Sequence, residues 1–315
     1  MTNFENHPLH PGEAIPLFIS PGVIKYPAQL ESFLQIEDPN MIPLLAIGGF
    51  TLPEWNGNAR YEGDQDFIYY SDRKMAGNCR GLPNPGSEGI LALADPLRRL
   101  NERGVKTIIQ VTNLPHENPL DVIPELVDIA ASVEPTAVEV NLSCPNGKAA
   151  DGSFHAPLCN NDNASGEVMQ AARDRVGPDV VLGAKDSPHV TSLEDYVYEG
   201  QVAFLAMRLA KIVDFVTGIN TIGNQDFPEL ECGGGRGGMS GPAVAPIARQ
   251  HISLWNKYAP NTPYLSTGGV DSANASIEIP ERLAMPNVIR VGGAQEFYRA
   301  TQLHQLAARW AIEAA

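Results

Sequence analysis

The chain has 315 residues, a formal net charge of −15 at pH 7 and a sequence pI near 4.8. Nucleic acids and anionic membrane surfaces bind clustered lysines and arginines, which this sequence lacks, so neither is an expected partner. The polar, acidic start and the absence of any run of ~18 apolar residues indicate a soluble, cytoplasmic protein. Four widely spaced cysteines form no C-x-x-C pair, so no metal site is expected, and a chain of this size does not need disulfides.

Short apolar runs that end in small or polar residues recur along the chain and predict strands. They cover residues 17–20, 44–48, 107–112, 138–143, 180–185, 215–220, 264–268 and 288–292. Helical patterns follow most of them, at residues 119–131, 166–175, 193–211, 242–258 and 294–314. Because alternating strands and helices require parallel neighbours, these runs favour one α/β domain over residues 1–315, a (β/α)₈ TIM barrel, rather than two doubly wound domains.

Two stretches interrupt this alternation. Residues 52–90, between the second and third strands, contain an extra strand pattern at 66–71 and then a turn-rich segment, which predicts an insertion at the barrel mouth. Residues 145–165 are rich in glycine, proline and asparagine. A loop of that length within a compact domain is usually functional, so we expect an active-site lid there.

The stretch VEVNLSCPN, residues 138–146, ends a strand in amides and a thiol. Pro145 cannot continue the pairing of a sheet, so Cys144 is expected at a turn beyond the strand. Barrel enzymes place their chemistry at this end of the strands. A buried structural cysteine is the alternative, but the flanking amides and the following loop favour a site.

The residues that end the predicted strands form one candidate constellation, namely Ser20, Gly48, Asn141, Lys185, Asn220 and Gly268. Lys185 is expected to project an ammonium into the barrel mouth, with pairing to Asp186 as the alternative. The amides of Asn141, Asn146, Asn220 and Asn224 both donate and accept, which suits a planar polar ring. Glycine-rich breaks at residues 237–241, 266–269 and 291–294 predict a phosphate cradle.

These residues together resemble the dihydroorotate dehydrogenase family. The resemblance rests on NLSCPN, the later Lys185, the run INTIGN at 219–224 and the paired glycines, and it covers nearly the whole chain. It is closest to the soluble, class 1 branch, which uses a cysteine where the membrane-associated branch uses a serine. The resemblance implies an FMN-binding TIM barrel that oxidises a small-molecule substrate.

The resemblance also implies roles for individual residues. Cys144 resembles the base that takes a proton from a ring carbon while the adjacent carbon gives hydride to flavin N5, and Lys185 would lie beside the flavin pyrimidine. The implied substrate contacts are Asn78, Arg80, Gly81, Leu82, Asn141, Asn146, Asn220 and Thr221. The implied flavin contacts are Ser20, Gly22, Gly48, Asn141, Lys185, Ser240, Gly241, Gly268, Gly269, Gly292 and Gly293.

The sequence departs from the family where a lysine is expected after the second strand. The family pattern T-K-S aligns with residues 46–49, AIGG, so Gly48 stands in place of a lysine near flavin and substrate. Orotate carries a carboxylate, and Arg80 or Lys74 would then have to supply the missing charge. A divergent paralogue acting on uracil or thymine, which lack the carboxylate, is the alternative within the same chemistry.

An alternative from another class is a Schiff-base lyase, because a lysine that ends a barrel strand can form an imine with a carbonyl substrate. A flavin barrel that only transfers electrons is a third interpretation. The oxidant that reoxidises the flavin stays open among fumarate, a quinone, oxygen and a partner subunit. A homodimer is the expected assembly.

Overall fold

The computed structural model describes residues 4–58, 65–147 and 155–294. Eight parallel strands close into a barrel, and each lies within or overlaps one of the predicted runs. In their order around the barrel the strands are β1 (Leu17–Ile24), β2 (Leu44–Phe50), β5 (Thr107–Val111), β6 (Ala137–Asn141), β7 (Leu182–Lys185), β8 (Phe215–Gly218), β11 (Tyr264–Ser266) and β12 (Val288–Gly293). The predicted barrel is therefore confirmed.

Among the described residues, eight α-helices surround the barrel. They are α1 (Pro27–Glu31), α2 (Gly86–Leu91), α3 (Ala94–Glu102), α4 (Pro119–Ala131), α5 (Asp162–Val176), α6 (Glu199–Leu209), α7 (Ala245–Tyr258) and α8 (Ala275–Leu283). Four of them, α4 to α7, overlap helical stretches that the periodicity predicts. Asn118 caps the start of helix α4, because its side chain accepts a hydrogen bond from the Leu120 amide. Pro119 occupies the first turn. The helix predicted at 294–314 lies, apart from residue 294, outside the described residues.

Alternation along the strands divides the core into two layers. Side chains that point outward pack against the helices, whereas those that point inward fill the barrel with Phe18, Leu44, Ala46, Ile108, Ala137, Phe215, Leu265 and Ile289. Phe215 is completely buried, and a side chain on Gly183 would meet its ring at 2.2 Å. The absence of a side chain at Gly183 therefore makes room for the ring of Phe215 inside the barrel.

A second sheet stands beside the barrel. It contains β3 (Phe67–Tyr70), β4 (Met75–Asn78), β10 (Arg236–Ser240) and β9 (Ile222–Asp226), in that order, with antiparallel pairing. The extra strand predicted at 66–71 is confirmed as β3. The second half was not predicted, because β9 and β10 are short, glycine-containing segments whose strand structure depends on pairing with each other and, for β10, with β4.

A disulfide joins Cys79, which follows β4, to Cys232, in the short turn between β9 and β10. Their Cα atoms are 5.9 Å apart although 153 residues separate them in sequence. The size of the chain gave no reason to expect a disulfide, and the structure nevertheless contains this one. The sequence carries no signal for this pair, because only the small sheet brings the two cysteines together.

Helix α5 begins at Asp162, within the segment predicted as a lid. Asn161 caps this helix by accepting a hydrogen bond from the Ala164 amide at 3.1 Å. The loop between Cys144 and the next helix is therefore shorter than predicted, and its residues 148–154 lie outside the described residues. In the described part of the chain, no helix is long and apolar enough to cross a membrane.

We expect Phe215→Ala to lower the free energy of unfolding by about 3–5 kcal/mol, because it opens a cavity at the centre of the barrel. Phe204→Ala on helix α6 is the matched control, since Phe204 is 62% exposed. That control should change stability by no more than about 0.5 kcal/mol. Chemical denaturation monitored by circular dichroism measures both, and equal losses would contradict the inward placement of Phe215.

Candidate active site

A cavity that is partly open to solvent lies at the carboxyl ends of the barrel strands. Barrels of this kind commonly bind small molecules and cofactors at this end. Its wall combines strand ends of the barrel with Asn78 of β4 and Ser240 of β10. The small sheet therefore forms one side of the cavity and the barrel mouth forms the other.

Almost all the residues that the sequence singles out line this one cavity. They are Ser20, Gly22, Asn78, Arg80, Gly81, Leu82, Asn141, Cys144, Asn146, Lys185, Asn220, Thr221, Ser240, Gly241, Gly268, Gly269 and Gly293. Asn224, the fourth amide of the proposed ring-binding set, is exposed on β9 and does not line the cavity. The structure thus brings together residues as far apart in sequence as Ser20 and Gly293, which are separated by 273 positions.

Gly48 and Gly292 lie outside the cavity wall, and their neighbours Gly49 and Gly293 line it instead. A side chain at Gly48 would meet the carbonyl oxygen of Gln110 at 2.4 Å, and one at Gly292 would meet the carbonyl oxygen of Phe18 at 2.0 Å. Both glycines therefore allow close approach of neighbouring strands. Gly48 also has no room for a lysine.

A polar layer lies inside the barrel beneath the cavity. Glu139 of β6 is 1% exposed, and its carboxylate accepts hydrogen bonds from Gln110 on the adjacent strand β5 and from Thr217 on β8, two strands away. Lys185 at the end of β7 is its electrostatic partner. Burial raises the pKa of Glu139 and lowers that of Lys185, and the attraction between the two charges opposes both shifts.

Asp186 does not pair with Lys185, the alternative considered from sequence. Its carboxylate accepts hydrogen bonds from His189 at 2.8 Å, His251 at 3.0 Å and Trp255 at 3.0 Å. Although burial opposes ionisation, these partners keep the pKa of Asp186 well below its usual range. This network fastens the loop after β7 to helix α7, and it leaves the Lys185 ammonium directed at Glu139 and the cavity.

Cys144 occupies the turn after β6 that Pro145 predicts, and it is half-buried on the cavity wall. Burial raises the pKa of its thiol, whereas hydrogen bonds from the backbone at Asn146 and Gly147 and the charges of Lys185 and Lys25 lower it. Cys159, by contrast, is 2% exposed, and burial raises the pKa of its thiol strongly. Of the two free cysteines, Cys144 is the one placed for chemistry in the cavity.

Amide side chains surround Cys144. Asn146 donates to Asn78 at 2.8 Å, and Asn220 donates to Ser143 at 3.0 Å. The Oδ1 atom of Asn146 and the Oγ1 atom of Thr221 are buried, and neither has a hydrogen-bond partner among the described residues. Buried polar atoms are normally paired, so these two indicate a polar ligand.

Glycine turns after β10 and β11 form another part of the wall. Gly241, Gly268 and Gly269 have φ values of 99°, 87° and 84°, a region that favours glycine. A side chain on Gly269 would come within 2.4 Å of the backbone of Ala245, the first residue of helix α7. The backbone itself therefore forms this wall, as expected where amide groups receive a phosphate.

The sequence missed several residues of the wall, and Lys25, Phe67, Gln110, Met239 and Thr267 are among them. Gln110 could have been found, because it is a lone amide within an otherwise apolar strand. Lys25 gave no signal, since it follows β1 in an ordinary loop. Only the arrangement of the strand ends shows that it reaches the cavity.

The family model for dihydroorotate dehydrogenase matches residues 15–305. The chain belongs to the dihydroorotate dehydrogenase family. It is 31% identical over 245 residues to the catalytic subunit of dihydroorotate dehydrogenase B (NAD⁺) of Solidesulfovibrio magneticus, which covers 75% of this chain and 74% of that protein. The corresponding subunit of Staphylococcus carnosus is 25% identical, over 84% of this chain and 78% of that protein.

Another relative is a putative dihydroorotate dehydrogenase A (fumarate) of Pediococcus pentosaceus, 28% identical over 69% of this chain and 66% of that protein. Members of the dihydroorotate dehydrogenase family are FMN-binding flavoproteins, and the chain is an oxidoreductase that acts on a CH–CH bond. The FMN and the oxidoreductase class expected from the sequence are thus confirmed, and the lyase alternative is set aside.

The cavity fits FMN. The wall at Gly268 and Gly269 has no side chains, as a phosphate that binds backbone amides requires, and Lys185 presents an ammonium near the barrel axis. The unpaired oxygens of Asn146 and Thr221 lie on the same cavity wall. The cavity can therefore hold a phosphate-bearing cofactor together with a polar ring.

We expect iodoacetamide to modify Cys144 well before Cys159, with a rate that still rises above about pH 9, because the thiolate reacts and burial raises its pKa. Mass spectrometry of peptides from the native protein measures both rates. Cys79 and Cys232 are internal controls, since their disulfide protects them. A Cys144 rate that levels off below pH 8 would contradict the raised pKa.

Proposed function

We propose that the protein oxidises dihydroorotate to orotate, with Cys144 as the base. The observation that carries this proposal is the juxtaposition of the Cys144 thiol with unpaired polar atoms of Asn146 and Thr221 in one cavity. A dihydropyrimidine ring offers carbonyl and N–H groups around its edge, and amides can pair with both. Family membership supports the same substrate.

The reaction removes one hydrogen from each of two adjacent ring carbons. One leaves as a proton, and the other leaves as a hydride that carries two electrons. Cys144 takes the proton as a thiolate. Two lysines, Lys25 and Lys185, favour this thiolate electrostatically, whereas burial disfavours it. The thiol is therefore mainly protonated at neutral pH, and the fraction of active base increases as the pH rises.

The amides hold the ring against Cys144. Asn78 and Asn146 are already joined at 2.8 Å, and the link between Asn220 and Ser143 at 3.0 Å fixes a second amide. Because these side chains are held before substrate binds, little rotational freedom is lost on binding. The side chain of Asn141 is fixed in the same way, because its Oδ1 accepts from the Ser143 amide at 3.1 Å.

FMN, when bound, accepts the hydride and so supplies the two-electron chemistry. The residues proposed to hold it are the glycine turns at Gly241, Gly268, Gly269 and Gly293, together with Ser20, Gly22, Ser240 and Lys185. The positive charge of Lys185 stabilises negative charge on a group bound beside it. The carboxylate of Glu139 attracts the Lys185 ammonium and so helps to hold it at the base of the cavity. The homodimer, the cytoplasmic location and the lid at 145–165 stay predictions.

Anaerobic mixing of the FMN-loaded protein with dihydroorotate should bleach the flavin absorbance near ~450 nm, because the substrate delivers a hydride to it. Dihydrouracil, which lacks the carboxylate, is the matched comparison and should react at least about tenfold more slowly at equal concentration. Stopped-flow absorbance measures both rates. Bleaching by dihydrouracil alone would replace the proposal with a uracil-type oxidoreductase, and bleaching by neither would reject both.

Cys144→Ala should retain FMN but slow its reduction by dihydroorotate by about 10²-fold or more, because no base then takes the proton. Stopped-flow absorbance measures the rate, and the ratio of flavin to protein absorbance measures occupancy. Cys159→Ala is the control, since Cys159 lies outside the cavity wall. Unchanged reduction kinetics in Cys144→Ala would remove this thiol from the mechanism.

A further inference from the structure

The cavity wall carries positive charge within an acidic protein. Lys25, Arg80 and Lys185 line it, and no carboxylate does so among the described residues, although the chain has a formal net charge of −15. Enrichment of one sign of charge in a cavity indicates ligands of the opposite sign. The phosphate predicted at the glycine turns is one such ligand, and the three cations allow a second anionic group.

Two of these cations already have acidic partners. Lys185 faces Glu139 inside the barrel. The guanidinium of Arg80 lies 3.2 Å from the carboxylate of Asp66. Lys74, the other lysine considered from sequence, is exposed and does not line the cavity. These contacts direct attention to Lys25.

Lys25 is only 9% exposed, and its ammonium donates a hydrogen bond to the carbonyl of Pro83. In the described part of the chain it has no carboxylate partner. Burial and the nearby charge of Arg80 lower its pKa to about 8, so it is still mainly protonated at pH 7. A buried ammonium held only by a neutral carbonyl is costly unless an anion reaches it.

The backbone explains how Lys25 reaches the cavity. Pairing between β1 and β2 passes from Ile19 opposite Leu45 to Ile24 opposite Ile47, so the intervening residues of β1 arch out of the ladder. The side chain of Gln29 then fixes the turn, because it accepts from the Lys25 amide at 2.8 Å.

The surroundings of Lys25 place it on the substrate side of the cavity. Pro83, its hydrogen-bond partner, belongs to the same turn as Gly81 and Leu82, residues with an implied role in substrate binding. The charges that act on Lys25 are those of Arg80 and Cys144. Lys25 therefore interacts with the proposed base and with the turn that contains Pro83, which are on the proposed substrate side of the cavity.

We propose that Lys25 binds the carboxylate of the substrate and makes this site selective for an anionic ring over a neutral one. The proposal rests on the proposed dihydropyrimidine oxidation and adds a specificity-determining residue to it. Lys25 takes the electrostatic place that Gly48 cannot fill, because a side chain at Gly48 would collide with the backbone of Gln110. A neutral ring would leave the ammonium without a partner anion.

The test is calorimetric binding of orotate and of uracil to the FMN-loaded protein and to its Lys25→Met variant. Orotate affinity should fall about 10- to 100-fold in the variant, the usual range for losing one charge-assisted hydrogen bond. Uracil affinity should change less than about threefold, since uracil lacks the carboxylate. Lys25→Arg, which keeps the positive charge, should retain part of the orotate affinity.

Lys211→Met is the matched control, because Lys211 is exposed and far from the cavity wall. Flavin content and thermal unfolding of each variant show whether the fold and the FMN site are intact. Unchanged orotate affinity in Lys25→Met, an equal loss for orotate and uracil, or loss of FMN with orotate affinity retained would each overturn the role of Lys25.

The unaltered protein separates the two proposals. If dihydroorotate bleaches its flavin while Lys25→Met binds orotate normally, the proposed function stands and the role of Lys25 falls. If the unaltered protein neither binds orotate nor reacts with dihydroorotate, both fall. A rise in the KM for dihydroorotate with a smaller change in kcat would support the role of Lys25 in binding.

Discussion

The structure depends on one buried carboxylate. Glu139 lies inside the barrel, 1% exposed, where an isolated charge would be strongly unfavourable. Gln110 on β5 and Thr217 on β8 donate hydrogen bonds to it, and Lys185 supplies the opposite charge. The barrel interior is therefore charged next to the cavity and apolar farther from it, around Phe215. This polar layer positions the ammonium of Lys185 at the base of the cavity.

The cavity above that layer has two structural origins. Its floor consists of strand ends, which a parallel barrel brings to one face. Its side wall consists of the small sheet, whose hairpins come from distant parts of the sequence and are joined by the disulfide between Cys79 and Cys232. Asn78 on the small sheet and Asn146 after β6 meet at 2.8 Å, so the two parts are also connected at the site itself.

Much of this arrangement could be predicted from residue patterns. Short apolar runs that end in small or polar residues and are separated by helical patterns predicted the barrel, and NLSCPN at one strand end located Cys144. The prediction was less successful where the secondary structure of a segment, or the role of a residue, depends on contacts with distant parts of the chain. The segments 222–226 and 236–240 contain too few apolar residues to indicate strands on their own, and they form strands by pairing with each other and, for 236–240, with β4. Gly48 and Gly292 matched the glycine pattern of a cofactor site, yet they serve the close approach of strands.

The sequence by itself determined the fold class, the position of Cys144 at a strand end and the position of the glycine turns on the cavity wall. These properties follow from local rules, because hydrophobic periodicity, a proline after a cysteine and glycines at strand ends act over a few residues. The tertiary structure alone decided which charges share the cavity. Arg80 is compensated by Asp66, Lys74 lies outside, and Lys25 enters from an arched strand end. Electrostatic selectivity depends on distances between residues remote in sequence, and only the folded chain establishes those distances.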